Sequence, residues 1–275
     1  MASRKCCGIT LKFPFELLAG LPSTPQQQRC MSAFHWLESS GALRLLGCSF
    51  LLALIGAQMA QAQTYAYKML HRFNGVPTDG ADPGSAGVVL DSAGNLYGTT
   101  QFGGNGACQL GCGVVYKLNK AGKETVLYNF TGGADGANPY AGVVLDSSGN
   151  LYGTTPFGGA RNKGVVFKVD ASGHEAALLR FTGSNGHAPY AGVVLDSVGN
   201  LYGTTYYGGG EDVGVVYQLS TSGQDAVLYS FTKFHGGARP YAGVVLDSAG
   251  NLYGATSGIS SDGSNDPGVV FKLTP

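Results

Sequence analysis

The sequence predicts an all-β fold, a β-propeller of four four-stranded blades closed by an N-terminal strand that pairs with the C-terminal blade. Three observations predict it. One stretch returns almost unchanged: YAGVVLDSSGNLYGTT from Tyr140, YAGVVLDSVGNLYGTT from Tyr190 and YAGVVLDSAGNLYGAT from Tyr241, with a close relative, SAGVVLDSAGNLYGTT, from Ser85. Leu-Tyr-Gly triplets begin at Leu96, Leu151, Leu201 and Leu252, at intervals of 55, 50 and 51 residues, a period that suits propeller blades rather than helical hairpins. Finally, 45 of the 275 residues are Gly and they stand beside short Val-rich runs, the composition of many turns and many short strands.

Each unit supplies four strand-like pieces. The first is AGVVLD and the second NLYGTT. The third is GVVYKL at Gly113, GVVFKV at Gly164, GVVYQL at Gly214 and GVVFKL at Gly268. The fourth is TVLYNF at Thr125, AALLRF at Ala176 and AVLYSF at Ala226. All are rich in Val, Leu, Tyr and Phe and are bounded by Gly, Asn, Asp or Ser. The first two pieces form a tight hairpin. Asp146 and Ser147 can bond the turn backbone, Gly149 supplies a positive φ and Asn150 tolerates one. Asp91, Asp146, Asp196 and Asp247 therefore recur because the turn recurs; one lone carboxylate per copy falls short of what calcium needs. A second hairpin in each unit (NKAGKE, DASGHE, STSGQD) turns on Ser/Ala-Gly.

The two ends suggest closure. TYAYKMLHRF, near Tyr65, resembles the fourth piece, and the chain ends on a third piece, GVVFKL. Tyr65–Phe73 is expected to pair beside Gly268–Leu273 and so remove an exposed edge.

The N-terminal part reads differently. The apolar run from about Gly47 to Ala57 is too short to span a bilayer. It follows Arg44 and precedes Ala60-Gln61-Ala62, a small-x-small pattern. Residues 1–62 are read as a leader and signal peptide cut after Ala62, with a buried helix or a membrane anchor as the alternative. Met31 offers a normal start, so residues 1–30 are read as an extension from a misassigned start or an unstructured leader. Cys48 precedes the apolar run, the wrong order for a lipidated cysteine. The expected domain is 63–275, and the expected location is extracytoplasmic, secreted or periplasmic.

Of the six cysteines, Cys6, Cys7, Cys30 and Cys48 fall in the leader. Cys108 and Cys112 remain, and in an exported protein such a pair most simply forms a loop disulfide. The full chain has 17 basic and 17 acidic residues. Losing Arg4, Lys5, Lys12, Arg29 and Arg44 with Glu16 and Glu38 leaves 12 and 15, a formal charge of −3. No basic field exists to attract nucleic acid.

The repeated words GVVLDSSGNLYGTT and GVVFKV resemble the Gloeobacter/Verrucomicrobia tandem repeat of exported bacterial proteins, over about Tyr65 to Pro275. That resemblance implies a propeller-like exported bacterial protein. The chain ends at FKLTP with no C-terminal apolar anchor, a departure from the anchored members of that family that leaves surface attachment open. A looser resemblance is to NHL-type propellers, whose similar hairpin joins the two innermost strands of a blade; by that analogy AGVVLD is innermost.

Alternating strand direction puts the short, repetitive turns on one face and the long, variable loops on the other, where binding usually lives. The candidate ligand-binding residues of that variable face are Ser85, Phe102, Tyr140, Phe157, Tyr190, Tyr207, Tyr241, Arg161, His187 and Arg239, with His235 beside them. Its repeated aromatics either pack between blades or line a mouth for a sugar or peptide. Its acids, Asp79, Asp82, Asp135, Glu211, Asp212, Asp262 and Asp266, are scattered and no catalytic pair stands out. No G-x-S-x-G, H-E-x-x-H or P-loop occurs. The expected function is a noncatalytic binding or structural module, with no enzymatic activity, cofactor or metal. The alternative is a propeller hydrolase or lyase acting on polysaccharide. Partner classes that fit are carbohydrate, peptide or another surface protein, with neither nucleic acid nor stable membrane insertion after signal cleavage. An Asp or Glu converging with His or Arg over one pocket would favour the enzyme; a mouth of Tyr and Phe alone would favour binding.

Overall fold

In the computed structural model, residues 65–275 are described apart from 76, 85–86, 234–236 and 259–266. The expected leader, Ser85, His235, Asp262 and Asp266 lie outside them. Lys68–Pro275 forms one compact unit. The described residues are all β, with no helix.

Each Leu-Tyr-Gly word sits in the second strand of an antiparallel sheet. The first sheet orders β2 (Val89–Leu90), β3 (Leu96–Thr100), β5 (Val114–Leu118) and β6 (Glu124–Asn129). The second orders β7 (Val144–Leu145), β8 (Leu151–Thr155), β9 (Val165–Val169) and β10 (Glu175–Arg180). The third has β11 (Val194–Leu195), β12 (Leu201–Thr205), β13 (Val215–Leu219) and β14 (Asp225–Ser230). The fourth stops at three strands, β15 (Val245–Leu246), β16 (Leu252–Ala255) and β17 (Val270–Leu273). A further short pair, β1 (Gly80–Ala81) with β4 (Phe102–Gly103), has single-bridge counterparts at Ala137–Phe157 and His187–Tyr207. These bridges tie loops of one unit to loops of the next.

The hairpin turn works as the sequence suggests. Asp146 Oδ1 accepts the backbone N–H groups of Ser148 and Asn150, while Oδ2 accepts from Asn150 Nδ2 and the Tyr152 hydroxyl. The same four-residue clamp closes the Asp196 and Asp247 turns. Donors aimed at a carboxylate favour its charged form. Hydrogen bonds from Asn95 hold Asp91 down at about 2, and those from Asn251 do the same for Asp247.

The glycine of Leu-Tyr-Gly makes room for a ring. A Cβ on Gly153 would lie 2.6 Å from Cζ of Phe167, its cross-strand partner, and one on Gly203 would lie 2.5 Å from the Tyr217 hydroxyl. Those rings are in turn covered by the aromatic that ends the preceding unit: Phe130 meets Phe167 at 5.0 Å, Phe181 meets Tyr217 at 5.1 Å and Phe231 meets Phe271 at 5.2 Å. The cores therefore sit between successive sheets. Val165 packs into one core and its neighbour Val166 into the next, so the third strand is buried on both faces.

The expected N-terminal closure is not formed. Residues 65–75 make no strand, and β17 is hydrogen-bonded to β16 alone among the described strands. Instead Phe73 lies 5.0 Å from the Tyr116 ring of the first sheet, edge to face. It fills the place that Phe130 fills for the second sheet. The segment's resemblance to a fourth strand is thus expressed in its terminal aromatic, and Tyr65 and Tyr67 stay exposed.

Candidate functional site

The innermost strands are short because they are crowded. A Cβ on Gly142 would come 2.3 Å from the Gly87 carbonyl oxygen, and one on Gly192 would come 3.3 Å from that of Gly142. Backbones this close leave a cavity of about 410 Å³ lined by Gly, Ala and Val of all four units, with Tyr140, Tyr190 and Tyr241 among its walls. The three rings meet at 5.7, 5.9 and 5.3 Å. Burial first, then neighbouring hydroxyls, pushes the Tyr241 phenol up to about 12 and raises Tyr190 as well, so these two stay protonated.

The cluster extends outward on the variable face. Phe157 meets Tyr190 at 6.4 Å, and Tyr206 meets Tyr190 and Tyr241 at 5.6 and 5.9 Å. Tyr207 stands edge-on to Tyr206 and stacks on His187 at 5.0 Å. Nε2 of His187 lies 3.1 Å from Oδ1 of Asp212. The Arg239 guanidinium sits over the rings of Tyr206 and Tyr207 at 5.7 and 5.4 Å, and its Nε is buried with no hydrogen-bond partner. Burial, then the charge of Lys163, pulls the His187 pKa below its ordinary value, and Asp212 offsets this only in part. The imidazole is therefore neutral at pH 7.

Two features here are scaffold. Arg239 has a φ of 57°, but Asp82, Asn138 and Ala188 hold the same left-handed geometry before their own prolines. Asp212 accepts the Gly208 N–H as Asn162 accepts that of Gly158. What this unit adds to the shared turn is the negative charge and the histidine facing it.

Of the residues named from sequence, Tyr140, Phe157, Tyr190, Tyr207, Tyr241, His187 and Arg239 come together. Phe102 lies in β4 opposite Ala81 and joins none of these ring contacts among the described residues. Arg161 is exposed. Tyr206, which links the tyrosines to the His187–Asp212 pair, was not singled out, because its counterparts are Gln101, Pro156 and Ser257 and no repeat marks it. Cys108 and Cys112 form a disulfide with Cα atoms 5.1 Å apart, and Cys112 is fully buried.

An all-β chain of such repeated sheets, with loops gathered at one end of a narrow axis, is propeller-like. The Gloeobacter/Verrucomicrobia repeat matches residues 58–174 and 107–275, and the chain belongs to that family. No curated protein matches it in sequence. Solved structures similar to it include a protein assigned as a gluconolactonase (18% identity, TM-score 0.41) and a luciferin-regenerating enzyme (21%, 0.44). A third is a gluconolactonase of Xanthomonas campestris (14%, 0.42). The match covers 69% of this chain in each case and 63%, 60% and 62% of theirs, so the chain spans about three fifths of their length. At such identity the likeness concerns the fold.

The expectation of a noncatalytic module without enzymatic activity is corrected here. The aromatic mouth is not bare, since His187, Asp212 and Arg239 converge beside it. Sequence alone missed this convergence because the three belong to different loops.

Proposed function

We propose that this protein is an exported hydrolase or lyase acting on polysaccharide, built as a propeller of four blades. The observation that carries the reading is the His187–Asp212 pair, stacked on Tyr207 and joined through Tyr206 to the tyrosine triangle. Asp212 accepts from Nε2 and so leaves Nδ1 as the basic nitrogen. A neutral imidazole held this way can take a proton from water in hydrolysis, or from a sugar carbon in elimination. Arg239 has a buried N–H without a partner and is suited to an acidic sugar's carboxylate. The tyrosine faces offer stacking surface for a pyranose ring.

The test is turnover by the full-length chain on a panel of neutral and uronate-containing polysaccharides, read as new reducing ends and as unsaturated uronate. Activity is expected on at least one acidic glycan, and His187→Gln should lower it about 10²- to 10⁴-fold. No turnover on the panel, or unchanged turnover in His187→Gln, overturns the reading.

A further inference from the structure

We propose that His71, Asp79 and Glu124 form a binding site for a divalent transition-metal ion of the zinc class, where the N-terminal segment meets the first sheet. Nε2 of His71 lies 3.6 Å from Oδ2 of Asp79 and 3.8 Å from Oε2 of Glu124. One ligand atom from each residue lies within 4.8 Å of the other two. The two distances from His71 are too long for hydrogen bonds. They come near the spacing of about 3.4 Å between atoms that each bind one tetrahedral ion at about 2.1 Å. Nε2 of His71 and Oε1 of Glu124 are buried without a hydrogen-bond partner. Two carboxylates and an imidazole share a little-exposed space, with side-chain exposures of 18, 9 and 13%. A cation would supply the missing partner to Nε2 of His71; the orphaned Oε1 of Glu124 has a counterpart in Oε1 of Glu175 at the next junction and does not itself mark an ion.

The repeat provides an internal comparison. At the next junction the same three positions hold Tyr128, Asp135 and Glu175. There the Tyr128 hydroxyl donates to Asp135 at 2.9 Å, and Thr131 donates through its backbone and its hydroxyl. That aspartate is satisfied within the protein. At the third junction the positions hold Leu179, Asn185 and Asp225, and Asn185 Nδ2 donates to Asp225 at 2.9 Å. Only the first of these junctions combines two carboxylates with an imidazole and leaves that imidazole unpaired. Asp79 is held for the task, since Asn74 and Gly80 backbone N–H groups fix its two oxygens. His71 is held by an edge-to-face contact with Phe73 at 4.7 Å. One nitrogen and two oxygens leave a fourth position for water, the pattern of a three-ligand zinc site.

The experiment compares the full-length chain with His71→Tyr, which installs the residue of the next junction and so retains a side chain the fold already accepts there. Both are stripped with a chelator and titrated with Zn²⁺ by calorimetry. Wild type should take up one more equivalent than the variant. It should also melt about 5 °C higher with zinc at a hundredfold excess over Kd, a rise the variant lacks. Co²⁺ should give visible ligand-field bands in wild type that His71→Tyr does not show. Equal stoichiometry in the two proteins, or a zinc response that survives the substitution, overturns the site. Should His71→Tyr fail to fold, Glu124→Gln gives the same comparison with the same outcomes.

Discussion

Tyr217 carries a hydroxyl that its counterparts Phe167 and Phe271 do without. The oxygen is buried and has no hydrogen-bond partner, and burial pushes the phenol's pKa far up. An unpaired buried hydroxyl costs about 1–3 kcal/mol, while the ring itself is needed to cover Gly203 and meet Phe181. Tyr217→Phe is therefore expected to raise stability by about 1 kcal/mol, seen as a melting temperature about 2–4 °C higher. An unchanged or lower value would mean that the hydroxyl has a partner in solution. Repeat logic reads such residues well, because three other units show what the position requires. It reads the candidate site poorly for the same reason. His187, Asp212, Tyr206 and Arg239 each differ from their counterparts, and a residue that occurs once looks like loop variation until the loops are placed side by side. Asp212 is the clearest case. As a turn cap it does what Asn162 does, and only its approach to His187, 25 residues away, gives its charge a use.

Successive sheets are joined by two kinds of polar contact. The first is a threonine of the second strand. Thr99, Thr154 and Thr204 donate to the carbonyls of Ala141, Ala191 and Ala242 in the next unit, at 2.8, 2.7 and 3.0 Å. Thr154 is fully buried, so Thr154→Val should leave a carbonyl unpaired and cost about 1–3 kcal/mol in denaturant unfolding. The second is the junction acid of the fourth strand. Burial, then the charge of Asp135, raises Glu175 to about 7, with Arg180 opposing and Tyr128 bonded to the same aspartate. The folded state thus binds a proton that the unfolded chain releases near 4.5. Stability should be fullest below that value and fall as pH rises toward 7. Thermal melts at pH 5 and 7.5 should show the decline, and Glu175→Gln should lessen it, the remainder belonging to Glu124, which burial and then Asp79 raise to about 7 as well. The strands that carry these groups were legible as apolar words between turns. The first piece, AGVVLD, was legible as a strand as well, but not its shortness, for it pairs over only two residues. Its length is set by glycine backbones of other units pressing on the same axis, and no local pattern records that pressure.

Across the whole repeat array, the two ends are unlike the middle. Val115, Val166 and Val216 are fully buried because each lies between a fourth strand and an adjoining sheet. Their counterpart in β17, Val270, is 86% exposed. The fourth unit also has Ala255 where the others place the threonine that reaches the next sheet. The expected closure rests on a match between the two ends of the sequence; the pairing is not formed, and what the match does reflect is one aromatic. Phe73 does occupy the place of a unit-ending aromatic against Tyr116. The pairing required the same segment to reach β17, and a resemblance in sequence says nothing about that distance. The open edge makes a quantitative prediction. Val166→Ala removes methyls from a packed core and should cost about 1.5–3 kcal/mol in denaturant unfolding. Val270→Ala, the same chemistry at the equivalent place, should stay within about 0.5 kcal/mol. If the two losses are equal, β17 is covered in solution and the array is closed there by something that packs as a fifth sheet would.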